Sequence, residues 1–334
     1  MRGYVRFAVG AGLGAAALVA YLLFVGVGTV VDRLTAITLA TAAVVAVLVV
    51  LEGAADGIGV WASVRPLGEG LTPAQGVQFA LAGDFFDTLS PAGPVTSEPI
   101  MARFIGVTTD TTYSGALAVR SVAKYVKSGS QVCVSLALGA ALLLGGGSQR
   151  VVLLTLAGAL GVILVLGVVL VVLRHQLSRG LVALLAPVVV RVSGLWRAEP
   201  LDRAAVEAAV GRYRERVGLF RDRPDLLGLI ALGGLLEQVL TATALWVALS
   251  GAGAPVAWLP IVVVIPLPQA ASVVPVPASL GAYDLLLAGA LTLVTGAAGA
   301  AAAAAVLVLR TATIPFGLGA GGLCVAFLRG WRPV

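Results

Sequence analysis

The chain has 334 residues, of which 59% are hydrophobic and 11% charged. A soluble domain carries about a quarter of its residues charged, so this composition excludes a water-solvated globule and points to a polytopic membrane protein, with several runs near the roughly 20 apolar residues that span a bilayer. The net charge of +6 does not indicate nucleic acid, because the basic residues fall between the apolar runs, the pattern that holds arginines on the cytoplasmic side.

The first predicted span is 7–31. It follows Arg2 and Arg6 as a signal peptide would, but it is too long for a signal core and lacks a persuasive cleavage site. Gly10 and Gly14 give it the small-xxx-small spacing of closely packed helices. Asp32 and Arg33 read as a short turn, 35–51 as a second span, and 52–73 as a polar connection with Glu52, Asp56, Arg65 and Glu69. The stretch 84–103 follows, with Asp84, Asp87, Glu98 and Arg103 among Pro91, Gly93, Pro94 and Pro99. Residues 78–89 predict a helix too short to cross a membrane, stopped by the Pro and Gly that follow. Thr96-Ser97-Glu98 before Pro99 reads as the start of a second short helix, running to about 107. Charge and broken backbone together are expensive in lipid unless protein or a water-filled cavity surrounds them, so 78–107 is expected to be a re-entrant element lining a polar pocket. The segment 108–128, with Arg120, Lys124 and Lys127, is expected behind it on the cytoplasmic side.

Spans three and four are 131–144 and 151–173. A cytoplasmic amphipathic region, 174–225, comes next. Within it 181–196 reads as interfacial, and 201–220 as a helix with Val206, Val210, Tyr213, Val217 and Phe220 on one face. Spans five to eight are 226–249 with Glu237 at its middle, 256–271, 283–296, and 300–328 with Arg310 and Pro315; a broken element, 272–284, interrupts them. The expected fold is all-α: one membrane domain, 1–334, of about eight spans. Two re-entrant or broken elements lie in pseudo-repeated halves, 1–173 and 226–334, and both termini are cytoplasmic in the cell membrane.

Pro91-Ala92-Gly93 leads to Glu98, and Pro277-Ala278-Ser279 leads to Asp284, in each case an acid seven residues after the proline. Paired broken helices in corresponding halves point to a transport site. The candidate substrate-binding residues are therefore Asp84, Asp87, Pro91, Gly93, Glu98, Arg103, Glu237, Pro277, Gly281, Asp284 and Arg310. Arg103 and Arg310 are expected to hold a lipid phosphate through bidentate hydrogen bonds, aided by helix N-termini at Glu98 and Asp284. The alternative is that the ion pairs only lock the short helices in place. His175 stands alone at the end of a span, and Cys133 and Cys324 lie in separate apolar runs, so no catalytic site, metal site or cofactor is expected. Nor is there a Gly-rich phosphate loop ending in Lys-Ser/Thr.

At these residues the chain resembles the flippase-like membrane proteins related to the transmembrane domain of lysylphosphatidylglycerol synthase, the multiple peptide resistance factor. The resemblance rests on Ser90-Pro91-Ala92-Gly93 through Glu98-Pro99 to Arg103, on Pro275-Val276-Pro277 through Gly281 to Asp284, and on Glu237 and Arg310. Ala278-Ser279 and Asp284 depart from the Gly pair and Glu usual in that pattern, as Pro94-Val95-Thr96-Ser97 departs from its glycines. The resemblance implies binding and movement of a phospholipid or polyprenyl-phosphate-linked lipid rather than an enzyme. An ion- or proton-coupled carrier of a small solute, using Glu98, Glu237 and Asp284, is the first alternative. A non-transporting subunit that docks a glycosyltransferase or lipid-modifying enzyme through 201–220 is the second. A second copy of the chain is left open as a partner.

Overall fold

The computed structural model describes residues 18–67, 70–90, 94–144, 203–269 and 279–329, with isolated helical positions between 154 and 168. Predicted span four, the interfacial segment 181–196, and Pro91, Gly93 and Pro277 lie outside these residues or almost entirely so. Every regular element among the described residues is helical. They are α1 (Leu18–Val25), α2 (Val27–Ala36), α3 (Leu39–Val64), α4 (Pro73–Leu89), α5 (Pro94–Thr108), α6 (Tyr113–Leu144), α7 (Arg203–Gly218), α8 (Pro224–Gly251), α9 (Trp258–Val264), α10 (Ala282–Thr295), α11 (Gly299–Phe316), a π-helical turn (Gly317–Gly321) and α12 (Gly322–Ala326).

Four of the described helices are long and apolar enough to cross a membrane: α3, α6, α8 and the continuous run Gly299–Ala326; α1 and α2 together would make a fifth. The expected turn at Asp32 and Arg33 is instead helical, and the break falls at Gly26, where α1 and α2 meet at 87°. Gly26 adopts φ +96°, a backbone state that costs glycine little and other residues much. Arg33 then reaches across to donate to the carbonyl of Ala252 at the end of α8.

Two further corrections concern charge. The expected connection 52–73 does not begin at Glu52: α3 runs unbroken to Val64, carrying Glu52 and Asp56 inside it. The segment 108–128 is likewise no separate polar stretch; from Tyr113 it belongs to the 32-residue α6. Charge alone marks these residues as loop, but their spacing says otherwise. Glu52 and Asp56 stand at i, i+4, and Arg120, Lys124 and Lys127 at i, i+4, i+7, each set on one helix face.

α4 begins five residues before the expected 78, because Thr72 caps it. The Thr72 hydroxyl accepts from the Gln75 amide, Gln75 Oε1 accepts from the Thr72 amide at 2.9 Å, and Pro73 opens the first turn. With 17 and 15 residues, α4 and α5 are too short to cross, at about 1.5 Å per residue. They pack on each other through the stacked rings of Phe86 and Phe104. At the expected spans six and seven, the described helical stretch Trp258–Gln269 and α10 each have fewer than 18 residues. α7 packs against the start of α6, with Arg216 beside Gly115.

Lipid-facing apolar surface gains little from helix association, so close packing must hold the bundle, and small residues allow it. A β-carbon on Gly57 would lie 2.6 Å from Val77 Cγ2, and one on Gly76 2.6 Å from Trp61 Cβ, so the backbones of α3 and α4 nearly touch. Two separate hydrophobic cores result. The first joins Val45 and Val49 of α3 to Leu245 and Leu249 of α8, Leu287 and Leu291 of α10, and Val306 and Leu309 of α11. The second joins Val60 and Val64 of α3 to Phe79 of α4, Met101 and Ile105 of α5, Val119 of α6, Ile230 of α8 and Val325 of α12. α3, α6, α8 and the Gly299–Ala326 run all reach both cores, and between the cores the interior is polar.

Candidate functional site

The polar waist is built from ion pairs that link different helices. Arg120 of α6 grips Glu98 of α5 with two parallel hydrogen bonds of 2.8 Å. This fork geometry is the strong, planar form of the Arg–carboxylate pair. Lys124, one turn on, lies 3.2 Å from Glu98 and 3.5 Å from Asp87 of α4. Ser97 also donates to Asp87, tying the two short helices together near their junction. Lys127, the next residue on that face, reaches Asp56 of α3 at 2.6 Å and also pairs with Glu237 of α8. Gly234 makes room for it: a β-carbon there would lie 2.7 Å from Lys127 Cγ.

An amide chain continues the waist. Gln269 donates to Gln131 Oε1 at 2.9 Å, Gln131 donates to the carbonyl of Gly234 at 2.8 Å, and Gln238 donates to Ser135 and to the carbonyl of Val262. On the far side Arg310 of α11 lies 2.9 Å from Asp284 of α10 and 5.0 Å from the centroid of the Tyr283 ring. Asp284 Oδ2 accepts the amide hydrogen of Gly281, whose φ of +81° suits glycine. Ser279 has φ +50°, an uncommon state for a residue with a side chain.

Beside these groups, against the first core, lies a cavity of about 300 Å³. Its wall mixes apolar residues, among them Leu48, Leu240, Ala244, Ile265 and Leu309, with Glu52, Asp84, Asp87, Thr88, Glu237, Gln269, Ser279, Tyr283 and Arg310. Four carboxylates and one guanidinium therefore face it. Glu52 and Asp84 form no ion pair among the described residues. The described acids are also not gathered as metal ligands: no group of three His, Cys, Asp or Glu among the described residues converges to hold an ion.

Of the residues singled out in the sequence, Asp84, Asp87, Glu237 and Arg310 line this cavity, and Asp284 and Gly281 stand just behind Arg310. Glu98 sits behind Asp87, in the grip of Arg120. Arg103 is not part of the assembly; it is exposed and does not line the cavity. On α5 it is five residues past Glu98 and so turned well away from it, and the arginine that Glu98 meets comes from α6. Glu52, Arg120, Lys124, Lys127, Gln269 and Tyr283 were missing from the expected set. Helical spacing of the charged residues on α3 and α6 was the signal that could have found the first four.

An all-helical bundle with four or five apolar helices of spanning length, short helix pairs between them and buried charge at their centre defines an integral membrane protein. The chain belongs to the lysylphosphatidylglycerol synthase transmembrane region family, whose sequence profile matches residues 5–321. No curated protein and no solved structure matches the chain.

Proposed function

We propose that the protein is a non-enzymatic, flippase-like transporter that binds a membrane lipid in the cavity beside its first core and moves it across the bilayer. The cavity carries this reading. It lies at the polar waist, its wall combines apolar and polar side chains, and the charged ones are four carboxylates to one guanidinium. A bare phosphate would be attracted by Arg310 but repelled by Glu52 and Asp84, and such repulsion is strong where water is scarce, whereas Lys124 and Lys127 offset Asp87 and Glu237. A headgroup with an ammonium beside its phosphate satisfies both: the phosphate goes to Arg310 and the ammonium to Glu52 and Asp84. The family takes its name from lysylphosphatidylglycerol, whose lysyl group supplies such an ammonium. A polyprenyl-phosphate lipid without an amine fits the same wall less well. Both termini are assigned to the cytoplasmic side of the cell membrane in this reading.

A second reading has support in one observation. Glu52 and Asp84 line the cavity without an ion-pair partner among the described residues, as the carboxylates of an ion- or proton-coupled solute carrier would.

The test is a vesicle assay with two fluorescent lipids, one carrying an amine beside its phosphate and one purely anionic. The parent protein is expected to speed movement of the amine-bearing lipid. Arg310→Ala removes a charge-assisted contact worth about 1.5–3 kcal/mol, so its rate should fall about ten- to a hundredfold. Glu52→Gln and Asp84→Asn should slow the amine-bearing lipid and spare or speed the anionic one. Equal movement of both lipids in all four proteins would overturn the reading. Movement of a small cation or protons without any lipid would favour the second.

A further inference from the structure

The last membrane-length helix changes its winding where it passes the cavity. α11 contains Pro315, which has no amide hydrogen to give to the preceding turn. Immediately after it, Gly317–Gly321 wind as a π-helical turn before α-helix resumes at Gly322. Such turns occur mostly as isolated interruptions and often at functional sites. Gly317 lines the cavity, and a β-carbon on it would meet Thr88 Oγ1 at 3.4 Å and Asp84 Cβ at 3.8 Å.

The two sides of the turn belong to different packing units. Before it, Ala302, Ala305, Val306 and Leu309 sit in the first core. Beyond it, Val325 and Leu328 sit in the second. The downstream part is fitted closely to α4: a β-carbon on Gly321 would lie 2.4 Å from the carbonyl oxygen of Leu81, and Gln78 donates to the carbonyl of Cys324 at 3.2 Å. α4 carries Asp84 and Asp87, and α11 carries Arg310. Two segments that line the cavity, α4 and α11, are thus joined through a weakened stretch of backbone. Gly319 sits in that stretch with nothing within 4 Å of where a β-carbon would be, so packing does not require glycine there.

We propose that Pro315 and the turn Gly317–Gly321 form a hinge, about which α4 and α12 move as one unit against α10 and α11 to open and close the cavity. The proposal rests on the transport reading for its purpose but not for its test. Gly319→Ala adds a methyl group to open space and stiffens the helix, and Pro315→Ala restores the missing amide hydrogen. Spin labels at Leu286→Cys on α10 and Phe327→Cys beyond α12, both on exposed positions, would report the separation of the two units in vesicles, with Cys133 and Cys324 replaced by Ser. The parent is expected to show two separations. Gly319→Ala should shift their ratio about fivefold, the factor that corresponds to the ~1 kcal/mol helix preference of Ala over Gly, and Pro315→Ala should shift it in the same direction. A single narrow separation in the parent, or an unchanged ratio in both variants, would overturn the hinge. Lipid movement measured on the same vesicles judges the transport reading separately: a shifted ratio without lipid movement keeps the hinge and removes the lipid.

Discussion

Lys127 is the residue on which the waist turns. Its ammonium is shared by Asp56 and Glu237, and its stem lies in the space that Gly234 leaves. Lys127→Met would leave two carboxylates facing each other at depth. Breaking a buried pair by removing one partner costs about 3–5 kcal/mol, so the unfolding midpoint in detergent should fall sharply. Adding Asp56→Asn and Glu237→Gln to that variant should restore much of it, because neither partner of Lys127 is then left as an unpaired charge. Arg120→Lys is a milder change. It keeps the charge but replaces the two-pronged grip on Glu98 with a single point charge, and it should cost about 1.5–3 kcal/mol in the same assay. Arg103→Ala, by contrast, should change neither stability nor lipid movement measurably. The sequence could name Glu98, Glu237, Asp284 and Arg310 because charge inside an apolar run stands out. It could not name their partners, since Glu98 meets an arginine 22 residues away on another helix.

Helix packing makes a different kind of prediction. Gly57 and Gly59 lie two residues apart on α3 and face different neighbours. A methyl group on Gly57 would lie 2.6–2.7 Å from Val77, including its backbone, whereas one on Gly59 would find ordinary contact at 3.7 Å with the carbonyl of Ile230. Gly57→Ala should therefore destabilise by about 1–3 kcal/mol through overpacking. Gly59→Ala should be tolerated, and thermal unfolding of the two variants side by side would check the contrast. At this scale the sequence was legible where periodicity and punctuation agreed. α8 and the final run were evident from apolar length, and the break after Leu89 from Pro and Gly. It misled where charge and helix coincide. Glu52 and Asp56 in α3, and the three basic residues in α6, were assigned to connections because charge usually marks solvent. The bend at Gly26 was hidden because an apolar run carries no sign of direction.

Among the described residues, two large apolar cores flank a layer of paired charge, and α3, α6, α8 and the Gly299–Ala326 run all reach both cores and pass that layer. The cavity is lined from both short-helix regions, α4 from one half of the sequence and residues 279–283 from the other. The short Pro-Ala repeat in the two halves gave the only hint of this convergence. The central claim is that this cavity receives a lipid headgroup. Its most direct test places a small diazirine side chain at Thr241, which lines the cavity, and another at Val239, which is exposed on the same helix. Each protein is irradiated in vesicles of an amine-bearing phospholipid, and the adducts are mapped by mass spectrometry. The account predicts headgroup adducts at position 241, lost in Arg310→Ala, and only acyl-chain adducts at 239. Acyl-chain adducts alone at both positions, or headgroup capture at 241 indifferent to Arg310, would contradict it.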